Sequence, residues 1–304
     1  MEKNPKLFVL ADNIQALAPN LDECIGIALQ NADGAQVKAI SLPSGSWVII
    51  REQNGDDDGI LSNPSLQKDA SSINLFVAGI IVYSPKSTTP TGLLTLEDVL
   101  GMPIRDKYIT MIKSRIFSMG NTLEFKYAWK DAEGVSDNYE EDLDRYIWDY
   151  TTAFPGEPSD EHYDVERVAP YKIIPTDGFI YGTTDGKVYP TSFDPTKVTP
   201  GLRAIRMKLL NGHSEKVLLG MGENGQNINT KLLARGLELY VAGSWIPVVS
   251  FKVFKSPEMA AIRKIVREYD MEFDGNTIIE NVRTNDAIQI PLMSIPTFFF
   301  PLGT

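Results

Sequence analysis

Three glycines at Gly220, Gly222 and Gly225 follow an apolar run and match the spacing G-x-G-x-x-G. In a dinucleotide-binding site this spacing joins a strand to a helix that holds the pyrophosphate, and an acidic residue ends the next strand. Here the apolar run follows an Asn-Gly dipeptide, which indicates a hairpin return, and Glu238 lies near the start of the following strand. The pattern therefore favours glycines of a β-loop or bulge, and no cofactor is expected.

The segment NGDDDGILS carries oxygen ligands at the spacing of a calcium loop. Asn54, Asp56 and Asp58 take positions 1, 3 and 5 of such a loop, and Gly59 takes position 6. Ser65 stands at position 12, where these loops place a bidentate glutamate. A solvated acidic turn is therefore the preferred interpretation, and Asn54, Asp56 and Asp58 are the residual candidates for a metal site.

The sequence contains few of the usual catalytic arrangements. His162 and His213 are the only histidines, and their separation does not fit a two-histidine metal motif. Cys24, the single cysteine, lies in an apolar run, which is typical of a buried and inert thiol. No G-x-S-x-G motif is present. We therefore predict a protein that is not an enzyme, and the open alternative is a pair of carboxylates that meet only in the folded chain.

Charge is distributed unevenly along the 304 residues, which carry a net charge of -11. Between Asp137 and Glu166 there are eleven acidic residues and one arginine, so the remaining chain is close to neutral. No basic cluster is present that would bind a phosphate backbone, and direct nucleic-acid binding is not expected. The longest uncharged stretch follows Asp286 and is interrupted by three prolines, so membrane insertion is not expected either.

Apolar runs separated by turn dipeptides predict a strand-dominated α+β fold. Five Asp-Gly and three Asn-Gly dipeptides favour antiparallel β-sheets and hairpins, in a sandwich- or barrel-like arrangement. The runs CIGIALQ at 24–30 and INLFVAGIIVYS at 73–84 are predicted strands. About four helices are predicted, two of them near 95–119, one near 139–153 and one near 256–270.

The predicted domain organisation has two β-rich parts. Residues 1–153 form the first β-rich domain, 154–170 an acidic linker or loop, and 171–304 a second β-rich region that ends in an extended apolar arm. One continuous domain is the alternative.

Two segments are predicted as contact surfaces. Around the predicted helix at 139–153 aromatic residues alternate with acids, and aromatic residues are enriched at protein interfaces. A plain solvated face is nevertheless the preferred interpretation of this charge run, with an interface as the alternative. The stretch Ala287–Thr304 is apolar, and its prolines prevent a helix, so it docks on its own core or lies across a neighbouring subunit. The interface candidates are Tyr139, Tyr146, Trp148, Tyr150, Ile290, Phe298, Phe299 and Phe300.

By elimination, the sequence favours a non-catalytic structural or assembly subunit of a large multi-protein particle. A bacteriophage virion component is the closest expectation: a capsid accessory, connector ring or tail protein. Its partners would be other copies of itself or other structural proteins, and its location would be the virion, after synthesis in the host cytoplasm, or else the cytoplasm. The alternative is a carbohydrate-binding or carbohydrate-cleaving β-rich protein that uses paired carboxylates and its four tryptophans.

Overall fold

Two separate β-sheets organise the chain in this computed structural model, and each sheet packs against helices. Of the described residues, 42% are helical and 27% lie in strands. The predicted strand-dominated fold with about four helices is therefore wrong, because the described part of the chain alone contains nine helices. The structure describes residues 8–9, 18, 20–44, 46–67, 71–130, 136–147, 179–189, 193–221, 227–270, 276–281, 283–292 and 295–299.

Helices and strands alternate through most of the described chain. The helices are α1 (Leu21–Asn31), α2 (Gly55–Leu61), α3 (Pro64–Gln67), α4 (Ser71–Ile80), α5 (Leu96–Gly101), α6 (Ile104–Met119), α7 (Gly212–Gly220), α8 (Ile228–Ala234) and α9 (Ser256–Asp270). The strands are β1 (Phe8–Val9), β2 (Val37–Ser41), β3 (Trp47–Arg51), β4 (Ile81–Tyr83), β5 (Thr122–Ala128), β6 (Ser136–Asp142), β7 (Phe179–Thr183), β8 (Val188–Tyr189), β9 (Ala204–Lys208), β10 (Glu238–Val241), β11 (Ser244–Pro247), β12 (Asn276–Glu280) and β13 (Ala287–Pro291).

The first sheet has the strand order β1-β2-β3-β4, with β1 parallel to β2 and the other pairs antiparallel. Its side chains alternate between two cores, because successive residues of a strand point to opposite faces. Val48 and Ile50 share one core with residues of α4 and α6, whereas Trp47 and Ile49 share the other with α1. This sheet is therefore covered by helices on both faces.

The C-terminal residues return to the first core. Strands β12 and β13 form a hairpin, and Phe298 and Phe299 beyond it are buried. The ring of Phe299 meets that of Phe76 edge-on at 5.7 Å, and Thr297 donates a hydrogen bond of 2.7 Å to the carbonyl oxygen of Glu124. The described residues of the apolar stretch at 287–304 are thus docked on the core of their own chain.

The second sheet is antiparallel throughout, with the order β11-β10-β9-β7-β8. One of its faces packs on α9, and Gly182 permits the close approach. A Cβ atom at Gly182 would lie 2.8 Å from the Lys187 carbonyl oxygen and 3.0 Å from Cδ1 of Ile265. The residues that form this core include Ile180, Ile205, Met207, Leu232, Leu239, Ile262, Ile265 and Val266.

A buried ion pair joins the two parts of the molecule. Lys107 of α6 is almost inaccessible, and its Nζ donates to Glu215 Oε2 of α7 at 2.6 Å and to Asn74 Oδ1 at 3.0 Å. Next to it, the backbone N–H of Ile104 donates to the carbonyl of Leu210 at 2.9 Å. The second part is therefore attached to the first through α6.

Several apolar segments predicted as strands are helices. The run 24–30 lies within α1, and most of the run 73–84 forms α4 before continuing into β4. A short apolar run does not distinguish a buried strand from a buried helix, since both lack a polar face. Some of the Asn-Gly dipeptides predicted as hairpin turns lie at the start of helices instead: Asn54 and Gly55 begin α2, and Gly212 begins α7. Asp185 and Gly186, in contrast, close the hairpin between β7 and β8.

The helix predicted near 139–153 is also wrong in its described part. Ser136–Asp142 is strand β6, paired along its length with β5, and Leu143–Tyr146 is a single 3₁₀ turn. Pairing with β5 satisfies the backbone and overrides the local helical pattern. Residues 148–153 lie outside the described residues. The helices predicted near 95–119 and 256–270 coincide with α5, α6 and α9.

Candidate functional site

The face of the second sheet opposite α9 carries a cluster of half-buried aromatic side chains. We call this surface, together with Arg206, the aromatic face. On β7 and β9 the alternate residues Ile180, Ile205 and Met207 point towards α9, so the residues between them point to the aromatic face. The aromatic residues of this face are Phe179, Tyr181, Tyr189, Phe193, Tyr240 and Trp245, all partly exposed.

Strand register brings these residues together. Tyr189 of β8 lies opposite Tyr181 of β7, Tyr181 lies opposite Arg206 of β9, and Arg206 lies opposite Glu238 of β10. Residues directly opposite one another point to the same face of a sheet, so these four side chains form one row across four strands. Tyr240 and Trp245 are paired beside that row on β10 and β11.

Arg206 occupies the middle of the aromatic face. Its guanidinium carbon lies 4.5 Å from the ring centre of Phe179 and 4.8 Å from that of Trp245. The same guanidinium forms an ion pair with Glu238, and about a quarter of its side chain is exposed (23%). Cation–π contacts of this kind hold the guanidinium in place while part of it stays accessible to a partner.

The rings also support one another. Tyr189 and Phe193 are 4.6 Å apart between centres, Tyr181 and Phe193 5.7 Å, and Tyr240 and Trp245 5.2 Å. Tyr181 and Trp245, 6.0 Å apart, connect the two groups. Since the rings already restrain one another, little side-chain entropy remains to be lost when a partner binds.

The segment that contains the second sheet and α9 is basic, although the whole protein is acidic. Residues 179–270 contain thirteen lysines and arginines and eight acidic residues, a balance of +5, and since the whole chain carries -11, the remainder carries -16. The aromatic face therefore belongs to the basic part of a molecule with strong charge asymmetry.

The interface residues predicted from the sequence lie mainly in the first core. Tyr139 is half-buried, stacks on Phe125 and accepts a hydrogen bond of 2.8 Å from Trp129 Nε1. Tyr146 is buried in the same core. Of the C-terminal candidates, Phe298 and Phe299 are buried and Ile290 is half-buried, which leaves the two phenylalanines little surface to offer a neighbour. Trp148, Tyr150 and Phe300 lie outside the described residues.

The metal-site candidates belong to the start of α2. The Asn54 side chain accepts hydrogen bonds from the backbone N–H groups of Asp56 and Asp57, and caps the helix. Asp56 is exposed, and burial together with the neighbouring Asp57 carboxylate raises the pKa of Asp58. Within the described ranges, no three His, Cys, Asp or Glu side chains form a group that would hold a metal ion.

Of the glycines at nucleotide-loop spacing, Gly220 ends α7. Gly222 and Gly225 lie outside the described residues. The run before them is a helix rather than the expected strand, so this part of the chain does not have the strand-to-helix order that a dinucleotide site requires. Among the described helices, none is long and apolar enough to cross a bilayer.

Sequence reasoning missed the aromatic face because no single segment contains it. Four of its five strands contribute one or two aromatic residues each, whereas β9 contributes Arg206. The row exists only once the register of four strands is known. The available signal was weak: Phe179 with Tyr181, and Arg206 with Lys208, each two residues apart on predicted strands. Comparison of the chain with protein-family models, curated proteins and solved structures finds no match.

Proposed function

We propose that this protein is a non-catalytic assembly subunit that binds other copies of itself through the aromatic face. The observation that carries the proposal is the partly exposed Arg206 side chain, whose guanidinium contacts the rings of Phe179 and Trp245 within a cluster of partly exposed rings. Trp, Tyr and Arg are the residues that most often dominate the binding energy of protein interfaces. Here they are concentrated on a face that leaves part of each side chain accessible.

The acidic hairpin β5–β6 has the charge that this basic region would bind. Glu124 lies directly opposite Glu140 on its outer face, Asp142 continues the row, and Lys126 is the base on the same face. Like charges directly opposite one another destabilise a strand pair, and a guanidinium or ammonium from a partner would relieve that repulsion. The proposed contact therefore joins the aromatic face of one copy to the outer face of the β5–β6 hairpin of the next.

A contact between two different surfaces of the same protein is heterologous, and it produces a ring when the rotation closes and a filament when it does not. Both products suit a component of a large particle. The proposed setting is a bacteriophage virion, with the protein as a capsid accessory, connector ring or tail component. The acidic, cysteine-poor composition fits this setting without specifying it.

The test is sedimentation velocity of the full chain across a concentration series at low and high salt. We expect association that weakens at high salt, because the contact pairs opposite charges. Trp245→Ala should weaken association at least about tenfold, as expected for a central interface tryptophan. Ile246→Ala is the matched control, since this exposed neighbour on the same strand points to the other face.

The second surface is tested by reversing a charge. Glu140→Lys should abolish the binding of this hairpin to the aromatic face of a wild-type copy. The stability of the variant should be unchanged or higher, because the substitution removes the repulsion between Glu140 and Glu124. Monomers at every concentration, or association unchanged by Trp245→Ala, would refute the proposal.

A carbohydrate-binding function is the second candidate, because a partly exposed tryptophan on a sheet face also suits the apolar face of a sugar ring. The other two described tryptophans, Trp47 and Trp129, are buried. Glycan binding that depends on Trp245, by a protein that stays monomeric, would favour this alternative. Binding of single-stranded DNA that depends on Trp245 would contradict both candidates.

A further inference from the structure

A cavity of about 320 Å³ lies between the first sheet and the corner where α5 meets α6. This volume is at the lower end of the range of small-molecule sites, which is roughly 300–1,000 Å³. Half of its twelve lining residues are apolar or glycine, and the other half are polar or charged. Its lining residues include Leu42, Val48, Lys86, Gly101, Met102 and Asp106.

Asp106 is the buried carboxylate of this cavity. It lies in the first turn of α6 and is only 2% exposed, and its Oδ1 accepts a hydrogen bond of 3.0 Å from the backbone N–H of Ser44. Burial raises the pKa of Asp106, although the hydrogen bonding from Ser44 and the charges of Lys86 and Arg105 act to lower it. A carboxylate held in such a place is costly until a donor or cation compensates it.

The other two carboxylates at the cavity have roles elsewhere. Asp98 accepts hydrogen bonds from the backbone N–H and hydroxyl of Thr95, both at 2.8 Å, and from the hydroxyl of Thr88 at 3.0 Å, and so caps α5. Glu97 is largely exposed and lies 3.1 Å from His213 Nε2. Asp106 is therefore the acid positioned to meet a ligand inside the cavity.

We propose that this cavity binds a small molecule that combines a primary ammonium group with an apolar body. The ammonium donates a charge-assisted hydrogen bond to Asp106, and the apolar body packs against Leu42, Val48 and Met102. Lys86, which is exposed, also lines the cavity, and its charge acts on Asp106, so it disfavours a second positive charge on the ligand. The predicted ligand class is thus a monoamine rather than a polyamine.

The test is isothermal titration calorimetry of the full chain with 2-phenylethylamine and with its uncharged counterpart 2-phenylethanol. We expect saturable binding of the amine, with the alcohol at least about tenfold weaker because it lacks the charge that Asp106 meets. Asp106→Asn should reduce amine affinity to that of the alcohol. Asp56→Asn, which makes the same change at an exposed position in α2, should leave the affinity unchanged.

A second variant blocks the cavity without touching the carboxylate. A side-chain Cβ added at Gly101 meets no atom within 4 Å, so Gly101→Leu should fold and occupy the space that the ligand needs. It should abolish binding of both compounds, while circular dichroism shows an intact fold. Failure of the wild-type protein to bind the amine at millimolar concentration would overturn the proposal. So would equal binding of amine and alcohol, or amine binding that survives both Asp106→Asn and Gly101→Leu.

Discussion

The two larger sheets of the described chain are covered differently. The first sheet has helices on both faces; its Trp47 is buried, and Tyr83, which stacks on Trp47, is half-buried. The second has α9 on one face and partly exposed aromatic side chains on the other. Burial of aromatic residues in the first sheet serves stability. The partly exposed aromatic residues of the second sheet gain less from burial, which is why we place the binding function there.

Helix α6 is where the two parts meet, and its composition reflects that position. Arg105, Asp106, Lys107, Thr110 and Ser114 are all buried on it. A buried polar group is stabilising only when it is matched by partners. Lys107 has Glu215 and Asn74, and the Thr110 hydroxyl donates to the carbonyl oxygen of Asp106. The junction and the proposed ligand cavity therefore depend on the same helix.

The largest loss of stability is expected from substitutions in the core of the first sheet, which helices cover on both faces. Phe298→Ala should lower the free energy of unfolding by about 3–5 kcal/mol, because it removes a fully buried ring from the core. Urea denaturation measures the loss. Phe193→Ala, on the partly exposed aromatic face, is the control and should cost much less. Equal losses would mean that the two faces are not differently covered in solution.

The junction is tested at its buried ion pair. Lys107→Met should cost about 3 kcal/mol, because Glu215 is left facing a buried position without its cation. The second part should then unfold separately, so two spectroscopic probes should give different midpoints. In a double-mutant cycle with Glu215→Gln the two losses should not add. Lys216→Met, at an exposed position of α7, serves as the control, and a similar loss there would contradict the assignment.

The aromatic face should contribute less to stability than to association. Trp245→Ala should lower the free energy of unfolding by about 1–2 kcal/mol, through loss of its contacts with Tyr240 and Arg206. Thermal denaturation of the monomer at high salt separates this effect from association. A loss as large as that of Phe298→Ala would assign the face to the core rather than to a partner.

The smallest expected effect is an increase in the free energy of unfolding, and it concerns Asp106. Because the pKa of Asp106 is raised above its ordinary value of 3.8, the folded chain binds this proton more tightly than the unfolded chain does. Protonation of Asp106 therefore stabilises the folded chain, and this contribution is fully present below the unfolded pKa of 3.8. It is lost as pH rises through the raised pKa of the folded state. Asp106→Asn should raise stability at neutral pH and remove this pH dependence.

The control for the Asp106 prediction is Asp98, whose pKa is lowered rather than raised. Burial acts to raise the pKa of Asp98, but the hydrogen bonds from Thr95 and Thr88 outweigh it and lower the pKa. Its contribution is present above its unfolded pKa and is lost as pH falls through the folded value. Asp98→Asn should therefore reduce stability at neutral pH. A loss of stability in Asp106→Asn at neutral pH would contradict the assigned burial.

Local signals in the sequence located some elements accurately. Thr95 with Asp98 predicts the start of α5, and the capping pair is present in the structure. Ser256 and Pro257 mark α9, whose apolar residues face the second core as their spacing predicts. These predictions succeed because helix caps and helical periodicity depend on neighbours within a few residues.

Other elements depended on partners far away in the chain. The run 73–84 is apolar throughout, and only packing between the first sheet and α6 decides that most of it is helical. Tyr139 follows a helical spacing, yet pairing with β5 makes its segment a strand. Asp106, which the sequence did not single out, becomes a candidate ligand residue only because the fold buries it beside a cavity.

By itself, the sequence determined the composition and charge of this protein, the single thiol at Cys24 and the helices whose caps are local. The tertiary structure alone decided which aromatic residues are core and which are surface. Phe298 and Trp245 are equally apolar in sequence, but one is enclosed by helices and hairpins and the other lies on the side of a sheet that α9 does not cover. Burial depends on contacts between distant segments, and local sequence does not encode those contacts.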